Sequence, residues 1–383
     1  MADTHVVAAA MIPMGKHRSA SYAGLATPAV AQALRESGVD KTAIDAVYCG
    51  HAFGGMLTGQ RIVKNVGVGG IPVVNVDNAC SGGATALAEA HAALQSGRYR
   101  TVLVIGVDKL TQFGGGTLPL VPEDWEVRSG VVMPAIYAMR AQRMMHEHGV
   151  TREDLAEVSV KARRHGALNP FAQFRSEVTV EEVLASRFIA EPLTLMQCCP
   201  TGDGAAALVV TTDPEVVARH QVTMRVRASV LHSGTFEGGF RDMLRPEISY
   251  RSAAEAYEYA GIGPEDLDLV ELHDAFTVAE LVYYEALGLC KKGESVRLLR
   301  DGGTTFGGGT VVNPSGGLLA KGHPVGASGA AQVVEAFWQL TGRAGERQVE
   351  GARIGLTHVT GGGISGFDHG SCCVHVFEAV GRG

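Results

Sequence analysis

The 383-residue sequence predicts a layered α/β protein built from two similar halves, and three observations carry that prediction. The first is an order of elements that occurs twice. Ala29–Val47 reads as an amphipathic helix that passes through Gly38-Val39 into a strand opening Ile44-Asp45-Ala46-Val47. Ala253–Val270 does the same through Gly261-Ile262 and Pro264-Glu265-Asp266 into Leu267-Asp268-Leu269-Val270. The second is a Gly- and Ser-rich turn that opens an Ala-rich helix in each half. Cys80-Ser81-Gly82-Gly83 runs into Ala84–Leu94, and Gly326-Ala327-Ser328-Gly329 runs into Ala330–Leu340. Apolar strands follow both, Thr101–Gly106 and Ala352–Thr357, and helix–strand alternation of this kind implies α/β layers. The third is composition: 46% hydrophobic and 19% charged residues suit a packed core, and 50 glycines in short clusters suit many tight turns.

The expected division is an N-terminal half, residues 1–222, and a C-terminal half, residues 223–383. The stretch from about Thr117 to Leu195 breaks the pattern. It is richer in charge and Met, with helical periodicity at Met133–His148 and Arg152–His165, and reads as an insertion lying over one half. The chain returns to a core strand at Ala205–Thr211.

Several classes are excluded. The net charge is −7 and no basic–aromatic stripe occurs, so nucleic acid is not an expected partner. The seven cysteines are odd in number, include two adjacent pairs and contain no CxxC, against both a disulfide framework and a zinc knuckle. No metal is expected, and the simple setting is the reducing cytoplasm. The N-terminus lacks a basic segment, the apolar run Val6–Ile12 is too short for a signal core, and no run is long enough to span a membrane. Gly361-x-Gly363-x-x-Gly366 matches a dinucleotide fingerprint, but Phe367–Phe377 reads as loop and strand where that site needs a helix.

The chemistry concentrates at strand-to-turn junctions. Cys80 falls between an apparent strand, Val73–Val76, and an apparent helix, so the helix dipole is expected to lower its pKa. Small neighbours leave a substrate room to approach, as at other nucleophile elbows. The bland alternative is a buried structural Cys. His323 lies in Lys321-Gly322-His323-Pro324-Val325-Gly326, where Pro324 fixes the backbone and the imidazole is placed to act as base for a thiol. His273 ends the strand Leu267–Leu272; it either donates to a developing oxyanion or is a satisfied structural His. His358 ends the strand Arg353–Thr357 and precedes Gly361-Gly362-Gly363, whose backbone N–H groups are free to face a ligand. Cys198-Cys199 and Cys372-Cys373 read as strand packing.

These residues carry a resemblance. Asn78–Ala84, Asn169-Pro170-Phe171-Ala172-Gln173, Pro200–Ala206, His273–Phe276 and Asn313–Gly329, with its GHPxGxSG, resemble the thiolases over nearly the whole length. Within them the chain is similar to the sterol-carrier-protein-type and archaeal-type branch. The resemblance implies a duplicated five-layered thiolase fold with a loop domain inserted in the first half. It implies Cys80 as the acylated nucleophile, His323 as its activator, and His273 binding the thioester oxygen through a water. It also implies an oxyanion hole from the N–H groups of Cys80 and Gly361, and a substrate-binding turn at Ser315, Gly316 and Gly317. The reaction would be thiolytic cleavage of a 3-oxoacyl-CoA or its reverse, a Claisen condensation, with coenzyme A as substrate and no cofactor.

Two departures stand out. The second cysteine of many thiolases aligns with Val359, and the cysteine this branch often carries in its HDCF motif aligns with Ala275. His358 is the nearest replacement acid/base, with Cys372 and Cys373 behind it. The tail Gly361–Val374 is longer than the family's usual ending. Members of the branch that work with a small OB-fold subunit carrying a zinc ribbon take bulky, aromatic or steroid-derived acyl groups, a benzoylsuccinyl-CoA among them, so such a partner is expected beside a homodimer or dimer of dimers. The rival readings are a ketoacyl-synthase-like condensing enzyme and a non-catalytic acyl-CoA-binding scaffold subunit.

Overall fold

The computed structural model describes residues 2–235, 241–365 and 368–381. Gly366 and Phe367 of the fingerprint considered above lie outside them. The first half contributes β1 (His5–Met11), β2 (Ala46–Gly50), β3 (Val73–Val76) and β4 (Thr101–Lys109). After a short hairpin of β5 (Phe188–Ala190) and β6 (Leu193–Thr194) it adds β7 (Asp203–Thr211). The second half contributes β8 (Val222–His232), β9 (Leu269–Glu271), β10 (Val311–Val312), β11 (Ile354–Ser365) and β12 (Asp368–Gly381).

The duplication is visible in the strand order. The first five core strands run β3-β2-β4-β7-β1 and the second five run β10-β9-β11-β12-β8. Counted within each half, both are third, second, fourth, fifth, first. In both, the second strand is parallel to its two neighbours and the fourth and fifth are antiparallel. The two sheets join where β1 meets β8 through His5–Arg225 and Val6–Met224.

Helices fill three layers around the two sheets. Gly82–Gln95 and Val325–Leu340 touch each other and strands of both halves, so they form the middle layer. The second of these is buried along its whole length; its residues are apolar or small apart from Gln332, Glu335 and Gln339, which are hydrogen-bonded, Glu335 to the Arg347 guanidinium. Tyr22–Ser37 covers β1, β4 and β7 from outside, and Glu247–Ala260 covers β8 and β12. The Tyr22–Ser37 helix starts well before Ala29: Ser21 caps it by accepting the Gly24 N–H, and Pro28 sits inside it. Between β4 and β7 lie the helices Met133–His148 and Arg152–Ala167 and the β5–β6 hairpin. None of the described helices is long and apolar enough to cross a membrane.

Candidate active site

Cys80 sits on a short 3-10 turn, Ala79–Ser81, between β3 and the Gly82–Gln95 helix. Ala79 adopts φ 48°, an uncommon conformation for a residue with a Cβ, and its neighbours hold it there. Asp77 accepts the Ala79 N–H (3.1 Å), the Ser81 hydroxyl donates to the Asn78 carbonyl (2.9 Å), and the Ser81 and Ser371 hydroxyls meet at 2.6 Å. The thiol is left half-buried at the floor of a cavity of about 510 Å³.

His323 and His273 reach the same cavity from the second half. The Cys80 sulfur and one ring nitrogen from each histidine lie within 4.8 Å of one another. The two imidazoles meet edge to face, centroids 5.1 Å apart. Ser328 donates to the Pro324 carbonyl (3.3 Å), so at 2.7 Å its oxygen accepts from His323 Nδ1–H. That fixes the tautomer and leaves Nε2 as the lone pair available to the thiol.

Burial sets the protonation of the pair. It pushes the Cys80 thiol up to about 12, against the backbone N–H groups of Gly362 and of Cys80 itself, which favour the thiolate. It pushes His323 down to about 3, helped by the Lys321 ammonium. His273 is held well below the ordinary imidazole value by burial and by the neighbouring histidines. Burial thus works against the resting thiolate expected from the helix dipole and favours thiol beside neutral imidazole.

Other expected residues are placed differently. Gly362, not Gly361, turns its N–H to the sulfur and lines the cavity. Gly361 faces the opposite side, where a Cβ would stand 2.2 Å from the Asn78 carbonyl oxygen. By the same alternation Thr360 faces the cavity, whereas Val359 packs with Ala84 and Cys373. His358 does not line the cavity: it is fully buried, its Nε2 2.9 Å from the Ser249 hydroxyl under the Glu247–Ala260 helix. Cys372 and Cys373 are likewise buried in β12 away from the cavity.

Ser315, Gly316 and Gly317 are buried supports rather than cavity walls. Ser315 donates its N–H and hydroxyl to Glu271 (3.0 and 2.7 Å), which also pairs with the buried Lys321 ammonium (3.1 Å). A Cβ on Gly317 would strike the Asp274 carboxylate, which accepts the Leu318 N–H at 2.7 Å. This buried network ties the His273-Asp274 corner to the loop that carries His323.

Two groups escaped the sequence reading. Cys198 and Cys199 line the cavity, because the chain after Leu195 crosses the corner at Ala275-Phe276: the Cys199 N–H donates to the Ala275 carbonyl at 2.9 Å. His369 also lines the cavity, brought there by the β11–β12 hairpin, which pairs it with Gly363. Its one signal in the sequence was its place in a tail longer than usual.

Cys80, His273 and His323 also form a grouping, among the described residues, with ligand spacing for a metal ion. The donor set is a poor match for one. A metal-bound imidazole normally donates its second nitrogen to a partner, and the buried His273 Nδ1 has none.

The apolar walls come from the segment between β4 and β7, with Leu118, Leu120, Met133, Tyr137 and Ile189, and Phe276 stacks on Tyr137 at 4.4 Å. Residues 4–214 match the thiolase N-terminal domain model, and residues 240–369 match the thiolase C-terminal domain-like model. The chain is 44% identical to the benzoylsuccinyl-CoA thiolase subunit BbsB of Thauera aromatica, over 91% of this chain and 92% of that one. It is 39% identical to an acetyl-CoA acetyltransferase of Methanothermobacter thermautotrophicus, over 99% and 100%. It is 36% identical to human sterol carrier protein 2, over 91% of this chain and 67% of that one. In fold it is similar to the Ltp2-ChsH2(DUF35) aldolase (TM-score 0.85, 24% identity, 97% of each chain). It is also similar in fold to human mitochondrial 3-ketoacyl-CoA thiolase (TM-score 0.74, 17% identity, 99% of each chain).

Proposed function

This chain belongs to the thiolase family, and from that membership we propose that it cleaves or forms a 3-oxoacyl-CoA through an acyl thioester on Cys80. The observation that carries the reading is the convergence of Cys80, His323 and His273 within 4.8 Å at the floor of one cavity. His323 Nε2 takes the thiol proton as sulfur attacks the 3-oxo carbon. The N–H groups of Cys80 and Gly362 stabilise the charge that develops on oxygen at the thioester carbon, and His273 serves the thioester oxygen of the CoA-bearing fragment. Coenzyme A is a substrate in this scheme and no cofactor enters it.

The acyl group is bulky or aromatic. The cavity holds about 510 Å³ between aromatic and branched walls, and Lys16 and Arg187 stand at its lining as cations for the phosphates of coenzyme A. The relative named for benzoylsuccinyl-CoA supports the same reading. That relative is named as a subunit, and the aldolase neighbour is named with a DUF35 component, so a small OB-fold, zinc-ribbon subunit is part of the proposal. A homodimer in the cytoplasm completes it: β3 is an edge strand with Val74 exposed, and Met56 and Leu57 nearby are 85% and 56% exposed. An unprotected apolar edge invites pairing.

Mass spectrometry after incubation with benzoyl-CoA, succinyl-CoA and acetyl-CoA tests the core claim. At least one should leave its acyl mass on Cys80, and Cys80→Ala should remove it. Absence of acyl mass from the protein, with and without the small subunit, would exclude the covalent mechanism.

A further inference from the structure

Carbon–carbon cleavage requires a proton at C2 of the departing fragment, and neither Val359 nor Ala275 can deliver one. We infer that His369 is the group that gives and takes the C2 proton, through its Nε2. The inference rests on the thiolase reading above and names a further catalytic residue within it.

Geometry is the argument. His369 is 6% exposed and lines the cavity together with Cys80, His273 and His323. Its Nδ1–H donates to the Gly362 carbonyl at 2.9 Å, because a carbonyl can only accept. That bond fixes the tautomer and leaves Nε2 with the lone pair. The same Gly362 turns its N–H to the Cys80 sulfur. One residue therefore spaces the imidazole from the nucleophile, with its N–H on one and its carbonyl on the other. The Tyr283 hydroxyl lies 3.4 Å from Nε2 and 3.3 Å from the Thr360 hydroxyl, both long for a hydrogen bond, so the contact it donates to Nε2 is weak, orients the ring and is displaced when C2 of the substrate approaches.

Protonation agrees. Burial and the Arg140 guanidinium hold His369 down to about 4, so it rests neutral and can accept a proton. The competing candidate in the cavity is Cys199. Its thiol is held well above the ordinary value by burial and by Cys198 and Cys80, which disfavours it as a base. The two histidines in direct reach of Cys80 already have work at the thiol and the thioester oxygen.

The protons balance with both imidazoles neutral at rest. In the cleavage direction the thiol proton of Cys80 leaves to His323 Nε2 as sulfur bonds to the 3-oxo carbon, and from there it passes to His369 Nε2. The C2–C3 bond then breaks, its electron pair goes to C2, and His369 delivers that proton to C2, which leaves both imidazoles neutral. In the second half coenzyme A loses its thiol proton to His323 and attacks the acyl-enzyme. The Cys80–acyl bond breaks and the proton returns to the Cys80 sulfur. The condensation runs these steps backwards, with His369 Nε2 removing the C2 proton.

The test separates the two half-reactions in the full-length enzyme. Acetyl-CoA, succinyl-CoA and phenylacetyl-CoA are incubated in D2O, and C2 deuterium is followed by NMR beside acyl mass on Cys80. His369→Gln should form acyl-Cys80 within about threefold of wild type while C2 exchange falls at least ~100-fold, as for loss of a general acid–base. His369→Cys should restore exchange with a rate that climbs with pH, as a thiol's would; a merely structural His369 gives no such change of profile, and this variant carries the test should the Gln protein fail to fold. Normal exchange in both variants overturns the inference, as does exchange that survives in them and is lost in Cys199→Ala. No C2 exchange by wild type with any of the three overturns it too. Absence of acyl-Cys80 in wild type would instead sink the thiolase reading itself.

Discussion

Lowering the pH from 7 to about 5.5 should destabilise this protein by about 5 kcal/mol, and the amount follows from its buried imidazoles. Burial holds His165, His323, His358 and His375 down to about 3 and His369 to about 4, and holds His273 well below its ordinary value. A depressed imidazole pKa means the unfolded chain takes up the proton first. The stability it confers is complete above the unfolded value, ~6.5, and is lost as pH falls. Between pH 7 and ~5.5 each such group costs about 1.2 kcal/mol, about 7 for the six. Buried carboxyls oppose this, since Asp108, Glu271 and Asp274 are all raised by burial. Asp274, raised to about 8, keeps its proton across this window and strengthens the fold by about 2 kcal/mol as pH falls. Six imidazoles against that one carboxyl leave a net uptake of about four to five protons on unfolding at pH ~5.5. Urea midpoints measured from pH 7 to 5 should fall with that slope, and His375→Gln, remote from the cavity, should reduce the uptake by about one. A midpoint that is flat or rises between pH 6.5 and 5.5 would refute the account.

Three further outcomes follow from the site. Alkylation of Cys80 by iodoacetamide should be slow at neutral pH and keep rising to pH ~10, since the thiol is pushed up to about 12; a plateau near pH 7 would show a preformed thiolate–imidazolium pair instead. Gly361→Ala should abolish turnover through displacement of the nucleophile turn, because its Cβ would stand 2.2 Å from the Asn78 oxygen and 2.7 Å from Ser81 Oγ; full activity would mean that the turn and strand are not in such contact. Lys321→Met should cost about 3–5 kcal/mol by leaving Glu271 buried without its cation, with recovery in the Lys321→Met/Glu271→Gln double variant; thermal unfolding of the single variant unchanged within a degree would show that the pair does not hold the loop.

Cys80, His273 and His323 were legible because their signals are local. Each lies at a junction of strand or loop with a turn, and such junctions can be read from Gly, Pro and apolar runs over a few residues. The residues misplaced by the sequence reading depend on pairing between distant segments. Gly361 and Gly362 differ by one position on β11, and one position exchanges the faces of a strand. His358 shares a face with Thr360 and Gly362 but lies two residues deeper, where the Glu247–Ala260 helix covers it. His369 reaches the cavity only because β12 folds back along β11. The Ser315-Gly316-Gly317 turn looked like a ligand loop because its partners, Glu271 and Asp274, are carboxylates that sequence alone would place in solvent. The repeat was legible as a pattern of elements, and the common strand order of the halves follows from it; the joining of the sheets at β1 and β8 does not, since that contact has no local signature.

The glycine-rich turns have a cause beyond room for substrate. A Cβ on Gly83 would lie 2.7 Å from the Gly326 carbonyl oxygen and 2.9 Å from the Ala330 nitrogen, and one on Gly329 would lie 2.7 Å from the Ala84 nitrogen. The first turns of the two central helices are thus in backbone contact, which only residues without a side chain allow. Asp108, at the end of β4, fastens the contact by accepting the Gly326 N–H at 2.6 Å together with the N–H groups of Ala52 and Phe53. Each helix is preceded by its half's reactive residue: Cys80 stands two positions before Gly82, and His323 two positions before Val325. Bringing the two helix starts together therefore brings thiol and imidazole together. The duplicated turn is what lets two copies of one element, read twice in the sequence, act as the two parts of a single site.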